Sequence, residues 1–135
     1  MTVRTAQDEG MSATLALLYV ALIAGVICFQ IALILGAPWG KLTQGGQHEG
    51  SLPRSGRIAA AASIVLLAVM GAGILSNAGY WPNWPRWVGW GSVAVGVVSC
   101  IANWMTPSAS ERRLWGPITT VMLALALGVM LITTA

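Results

Sequence analysis

Three side chains in the loops of this sequence are of types that move protons. His48 stands beside Glu49, and Glu111 lies further along, followed by Arg112 and Arg113. An imidazole next to a carboxylate can exchange a proton near neutral pH, which makes His48, Glu49 and Glu111 the candidate acid and base groups. Each also has a plainer account. A lone histidine in a polar loop is usually solvated. Ser108 and Glu111 have the spacing of a capping box, in which the hydroxyl takes a backbone amide and the carboxylate reaches back. One His and two Cys, Cys28 and Cys100, in separate segments give no metal-ligand spacing. Neither a metal nor a cofactor is expected, and no Ser-His-acid or Cys-His arrangement is present.

A second set of residues suits binding rather than bond-making. Gln30 interrupts an apolar run roughly 8 Å before its end, at 1.5 Å per residue. Asn103 has a similar depth in another run and is its natural partner. Such a pair either lines a pocket or joins two helices by a hydrogen bond. Trp39, Trp104 and Trp115 lie near the same level and can wall a pocket or hold a cation against their π faces. Arg57 and Arg112 complete the candidate ligand-binding group of Gln30, Trp39, Arg57, Asn103, Trp104, Glu111, Arg112 and Trp115.

The elements that must position these residues follow from composition. The chain has 135 residues, 56% hydrophobic and 8% charged, with a mean hydropathy of +0.74. Soluble domains carry about 25% charged residues, so a soluble enzyme domain is excluded. The net charge of +3 comes from seven Lys and Arg against four Asp and Glu. That is too few basic groups for a nucleic-acid surface, and the partner implied is the lipid bilayer. Four apolar runs cover about 12–35, 58–75, 87–104 and 117–133. Each is near the ~20 residues a spanning helix needs. Helices satisfy their backbone groups internally in lipid, and the alternating strands of a β-barrel are absent. The expected fold is an all-α integral membrane bundle of four transmembrane helices, one domain over 1–135, with a Gly-rich loop over 36–55. Asp8 and Glu9 near the start, and the length of the first run, fit a spanning helix better than a cleaved signal.

Lys41, Arg54, Arg57, Arg112 and Arg113 fall in the first and third loops; Arg4 and Arg86 fall on the other side. The positive-inside tendency then puts loops 36–57 and 105–116 in the cytoplasm and both termini outside, in a multi-pass protein of the cell membrane. The middle loop holds Trp81, Trp84, Trp87 and Trp90 at intervals of three, with Pro82 and Pro85 between them. Polyproline II has three residues per turn and would align the first three as a ribbon in the outer aromatic belt. Small residues form stripes: Ser92, Gly96, Ser99 and Asn103 on the third helix, and Gly116, Thr120, Ala124 and Gly128 on the fourth. Stripes of this kind bring helices together, inside the bundle or in a homo-oligomer seam. Pro117 implies a kink in the fourth helix or a separate turn before it.

Two clusters, Gly36-Ala37-Pro38-Trp39-Gly40 with Gly45-Gly46, Leu52-Pro53 and Arg57, and Asn103 with Thr106-Pro107-Ser108, Glu111-Arg112, Trp115 and Pro117, have a familiar combination. Over about residues 30–117 the chain resembles small four-helix bacterial integral membrane proteins of unassigned function. The resemblance implies the four-helix membrane fold and supplies no catalytic residues.

Three functions remain open on sequence. The first is a non-enzymatic module binding a small or lipidic ligand, or a partner, at the cytoplasmic face. The second is an enzyme acting on a lipophilic substrate, with Glu111 or the His48–Glu49 pair as acid and base. The third is a small transporter or channel; the lack of a carboxylate well inside the spans counts against proton-coupled antiport in particular.

Overall fold

The structure, a computed structural model, describes residues 3–135. It contains four α-helices: α1 Ala6–Ile34, α2 Arg54–Asn77, α3 Arg86–Met105 and α4 Ala109–Thr134. All four are long and apolar enough to cross a membrane, and no strand occurs among the described residues. This is a multi-pass membrane protein built as a four-helix bundle. The helices form a ring in which each packs on its sequence neighbour and α4 returns to α1; α2 also meets α4 across the diagonal. The termini and the 78–85 turn lie at one end, the termini end. The 35–53 loop and the 106–108 turn lie at the other, the loop end.

α1 and α4 begin before their apolar runs because their N-termini are capped by side chains. Thr5 and Asp8 make a full capping box: Asp8 N donates to Thr5 Oγ1 at 3.1 Å and Thr5 N donates to Asp8 Oδ2 at 3.1 Å. That reciprocal pair starts α1 six residues before the apolar run. At its other end Gly36 takes φ +103°. The Ala37 N–H then reaches Ala32 O at 2.9 Å and the Gly36 N–H reaches Leu33 O at 3.2 Å, a Schellman stop that needs a residue without Cβ.

Ser108 caps α4, and the helix runs unbroken through Pro117. No separate turn precedes it. The expected capping box is only half made. Glu111 N donates to Ser108 Oγ at 3.2 Å, but Ser108 N donates to Thr106 Oγ1 at 3.3 Å rather than to Glu111. Thr106 sits closer to the cap and takes the place of the carboxylate.

The tryptophan ribbon is also different from expectation. Asn83 has φ +60° and its N–H donates to Tyr80 O at 3.1 Å. A left-handed residue cannot continue polyproline II, whose φ is about −75°, so residues 80–83 make a turn. Trp87 and Trp90 belong to α3. All four of these tryptophans are exposed.

The main core lies from mid-bundle toward the termini end and includes Tyr19, Ile23, Met70, Ile74, Val129 and Met130. A smaller cluster of Leu33, Leu52 and Ala60 closes the loop end, with Phe29 against it. Outward faces carry exposed Leu18, Val65, Val98, Ile101 and Leu131, as a lipid-facing surface does. The α4 stripe does not keep to one face. Gly116 is buried, whereas Thr120 and Ala124 are exposed, because a strict spacing of four drifts around a helix of 3.6 residues per turn.

Candidate functional site

The loop between α1 and α2 is folded rather than slack. Arg57, in the first turn of α2, donates from Nε to Leu52 O at 2.9 Å and from Nη1 to Ile34 O at 3.1 Å. One guanidinium thus ties the end of α1 to the start of α2. Ser51 Oγ donates to Gly36 O at 2.7 Å, and Gly40 N donates to Gly50 O at 2.8 Å. A Cβ on Gly40 would collide with the His48 and Gly50 carbonyls, so only glycine lets these strands of loop cross. Two short 3₁₀ turns, Gly40–Leu42 and Gln44–Gly46, fill the middle.

This loop docks on α4 and on the turn before it. Ser108 Oγ donates to Lys41 O at 2.7 Å, and Trp115 Nε1 donates to Leu42 O at 2.7 Å. Phe29 holds the junction from α1: its ring stacks on Trp39 at 5.7 Å and meets Trp115 edge-on at 4.8 Å. Such aromatic pairs add stability beyond the area they bury.

Beneath the loop is a cavity of about 270 Å3, lined by residues of all four helices and by Thr43 of the loop. Both Glu111 and Ala126 of α4 line it, so it extends about 22 Å along the bundle axis at 1.5 Å per residue. Its walls are mixed. Leu66, Met70 and Leu123 are apolar, whereas Gln30, Ser99, Asn103 and Glu111 are polar. The whole α3 stripe of Ser92, Gly96, Ser99 and Asn103 faces this space.

Glu111 is 8% exposed. Thr106 Oγ1 donates to its Oε2 at 2.8 Å. The one ion pair among the described residues is elsewhere, Lys41 Nζ to Glu49 Oε1 at 2.9 Å, and both of its side chains are solvent-exposed. Glu111 is therefore a buried carboxylate with a hydroxyl donor and no cation in contact. The hydrogen bond and charge of Lys41 hold the Glu49 carboxyl below the usual carboxylate range.

Gln30 and Asn103 both line the cavity but do not bond each other. Asn103 Nδ2 donates within its own helix, to Ser99 O at 2.8 Å and Ser99 Oγ at 3.3 Å. Gln30 Oε1 is buried without a hydrogen-bond partner. The interhelical pair expected from depth alone is absent because the Ser99 carbonyl, one turn away, is always within Asn103's reach.

The chain matches no family model, no curated protein and no solved structure. The geometry alone therefore sorts the candidate residues. Gln30, Asn103, Glu111 and Trp115 are brought together around the cavity. Trp39 lies one layer out, on Phe29. Trp104 faces outward between α3 and α4, its Nε1 donating to Thr120 Oγ1 at 2.8 Å and its ring over Gly116. Arg57 and Arg112 serve the backbone; Arg112 Nη1 donates to Thr106 O at 2.7 Å, behind the Glu111–Thr106 pair. His48 and Glu49 do not line the cavity and are not brought to Glu111.

Sequence reasoning missed Phe29, Thr43 and Thr106. Phe29 is the only phenylalanine and precedes Gln30, which was the available signal for it. Thr106 stands two residues before the Ser108 cap, in reach of any carboxylate on the first turn of α4. Thr43 had no signal, since only the docking of the loop brings it over the cavity.

Proposed function

We propose that this chain is a non-enzymatic module of the cell membrane that binds a small lipophilic molecule within its bundle, beneath a cytoplasmic loop end. The observation that carries this reading is the cavity, with Leu66, Met70 and Leu123 on its deeper walls, Gln30 and Asn103 nearer the loop, and a buried carboxylate lining it. Ligand pockets are of this kind: mostly apolar, with a few placed polar groups. The residues that resemble the small four-helix bacterial proteins support the same place, since Gly40, Leu52, Arg57, Thr106, Ser108, Glu111 and Trp115 all build the loop end around it.

Orientation rests on the basic residues. Lys41, Arg54, Arg57, Arg112 and Arg113 gather at the loop end, and Arg4 and Arg86 at the termini end, which favours a cytoplasmic loop end. The aromatic side chains at both ends agree with anchoring at two interfaces.

The test is native mass spectrometry of the full chain released from detergent. The wild type should carry a small molecule at up to one per chain. Ser63→Leu, which pushes a side chain into the cavity from α2 without touching Glu111, should release it. Equal occupancy in the two proteins, or none in the wild type, sinks the reading.

A further inference from the structure

The charge inside the cavity is one-sided. Glu111 is the single Asp or Glu among the lining residues, and no Lys, Arg or His lines the space. A buried carboxylate is retained where it is paired or hydrogen-bonded, because leaving it alone in an apolar surround is costly. Here Thr106 satisfies Oε2 only. Oε1 receives no hydrogen bond among the described residues and keeps accessible surface, and the only ion pair there involves Glu49.

A second acceptor lies in the cavity wall, on Gln30. Gln30 Oε1 is buried and receives no donor. Native structures rarely leave such a group unsatisfied without a ligand, water or ion to serve it. Two donors that line the same cavity are committed elsewhere: Asn103 Nδ2 to Ser99, and Trp115 Nε1 to Leu42 O. Phe29 and Trp115 also line the cavity, and aromatic rings attract cations.

We propose that the ligand of this cavity is a small lipophilic amine, protonated at neutral pH, whose ammonium is held by Glu111 with Gln30 and the Phe29–Trp115 rings as supporting contacts. Its apolar part lies along Leu66, Met70 and Leu123, deeper in the bundle. The volume of about 270 Å3 falls just below the roughly 300–1,000 Å3 of pockets for drug-sized ligands. That size suits a compact amine and not a two-chain lipid. The inference rests on the binding reading above and adds the charge of the ligand to it.

The test uses the full chain in phosphatidylcholine nanodiscs, with empty discs as the blank and calorimetric titration at pH 7. The probes share one ring system: 1-naphthylmethylamine is cationic, 1-naphthylmethanol neutral, and 1-naphthylacetate anionic. The wild type should bind the amine at one per chain, on the order of tenfold or more tighter than the alcohol, with the acetate weakest. Glu111→Gln keeps an oxygen for Thr106 and removes the charge; it should bring the amine down to the level of the alcohol and leave the alcohol unchanged. If that variant fails to fold, the order of the three probes on the wild type decides the same question. Equal binding of amine and alcohol, or an amine preference that survives Glu111→Gln, overturns the cationic ligand and leaves the cavity reading standing. Absence of binding by any probe also overturns it, while the occupancy lost or kept in Ser63→Leu judges the cavity reading separately.

Discussion

At the termini end, Gly73 and Gly89 bring α2, α3 and α4 so close that added Cβ atoms would strike Val88 in the first case, and Asn77 and Met130 in the second. Further along α3, Gly96 has only Leu123 at an ordinary 3.5 Å, and Ser99 and Asn103 border open space. The two halves use the same small residues for opposite purposes. In the first, a missing Cβ lets helices touch. In the second, small and polar side chains border a space among the helices. The folded loop covers that space, docked on α4 through Ser108 and Trp115 and tied down by Arg57. A stripe of small residues therefore does not by itself mean close packing. Its neighbours decide whether it becomes a seam or a wall.

The sharpest way to break this comparison is to add volume to each half. Gly89→Leu should cost about 3 kcal/mol through overpacking, read as the unfolding midpoint in detergent. Gly96→Ala should change stability by no more than about 1 kcal/mol, with the gain in helix propensity setting its sign. Equal losses would mean that the halves are packed alike. Next in size is the loop closure. Arg57→Ala removes two hydrogen bonds from a charged donor and should cost about 2 kcal/mol, with new protease cleavage within 36–53 and little change near the 78–85 turn. Smaller again is Trp115→Phe, which keeps a ring near Phe29 and loses the bond to Leu42 O. It should cost about 1 kcal/mol and speed hydrogen exchange in the Gly40–Leu42 turn first.

The smallest effect is expected at the exposed ion pair. Lys41→Gln should leave the unfolding midpoint where it was, since both partners are in water. It should still move Glu49, whose carboxyl is held below its usual range by Lys41. The sign follows from that direction: any stabilisation from Glu49 is present above the ordinary carboxylate value and fades as pH falls through the lowered one. A carbon-detected NMR titration should show Glu49 returning to the ordinary range in the variant. A large fall in stability instead would place this pair inside the structural loop network rather than outside it.

Most of the architecture was legible in the residues. Four long apolar runs with charges only at their edges lead to four spanning helices, and the basic residues gather at one end as their loop positions imply. The same local logic failed at the polar details. Gln30 and Asn103 sit at matching depths, yet Asn103 turned to its own helix and Gln30 was left facing a space. Ser108 and Glu111 have the spacing of a box, yet Thr106 intervened. His48 and Glu49 look like the chemistry of the chain and lie away from its cavity, whereas Phe29 carries no chemistry and joins α1 to the loop and α4.

By itself the sequence determined the solvent of this protein and its helices. Both follow from properties that add along the chain: the length of an apolar run and the absence of charge within it. Only the tertiary structure decided which polar groups meet and that a space remains among them. Hydrogen-bond partners are chosen between neighbours from several helices, and an intrahelical carbonyl always competes. A cavity is a mismatch among the surfaces of all four helices under a loop, so no single segment records it.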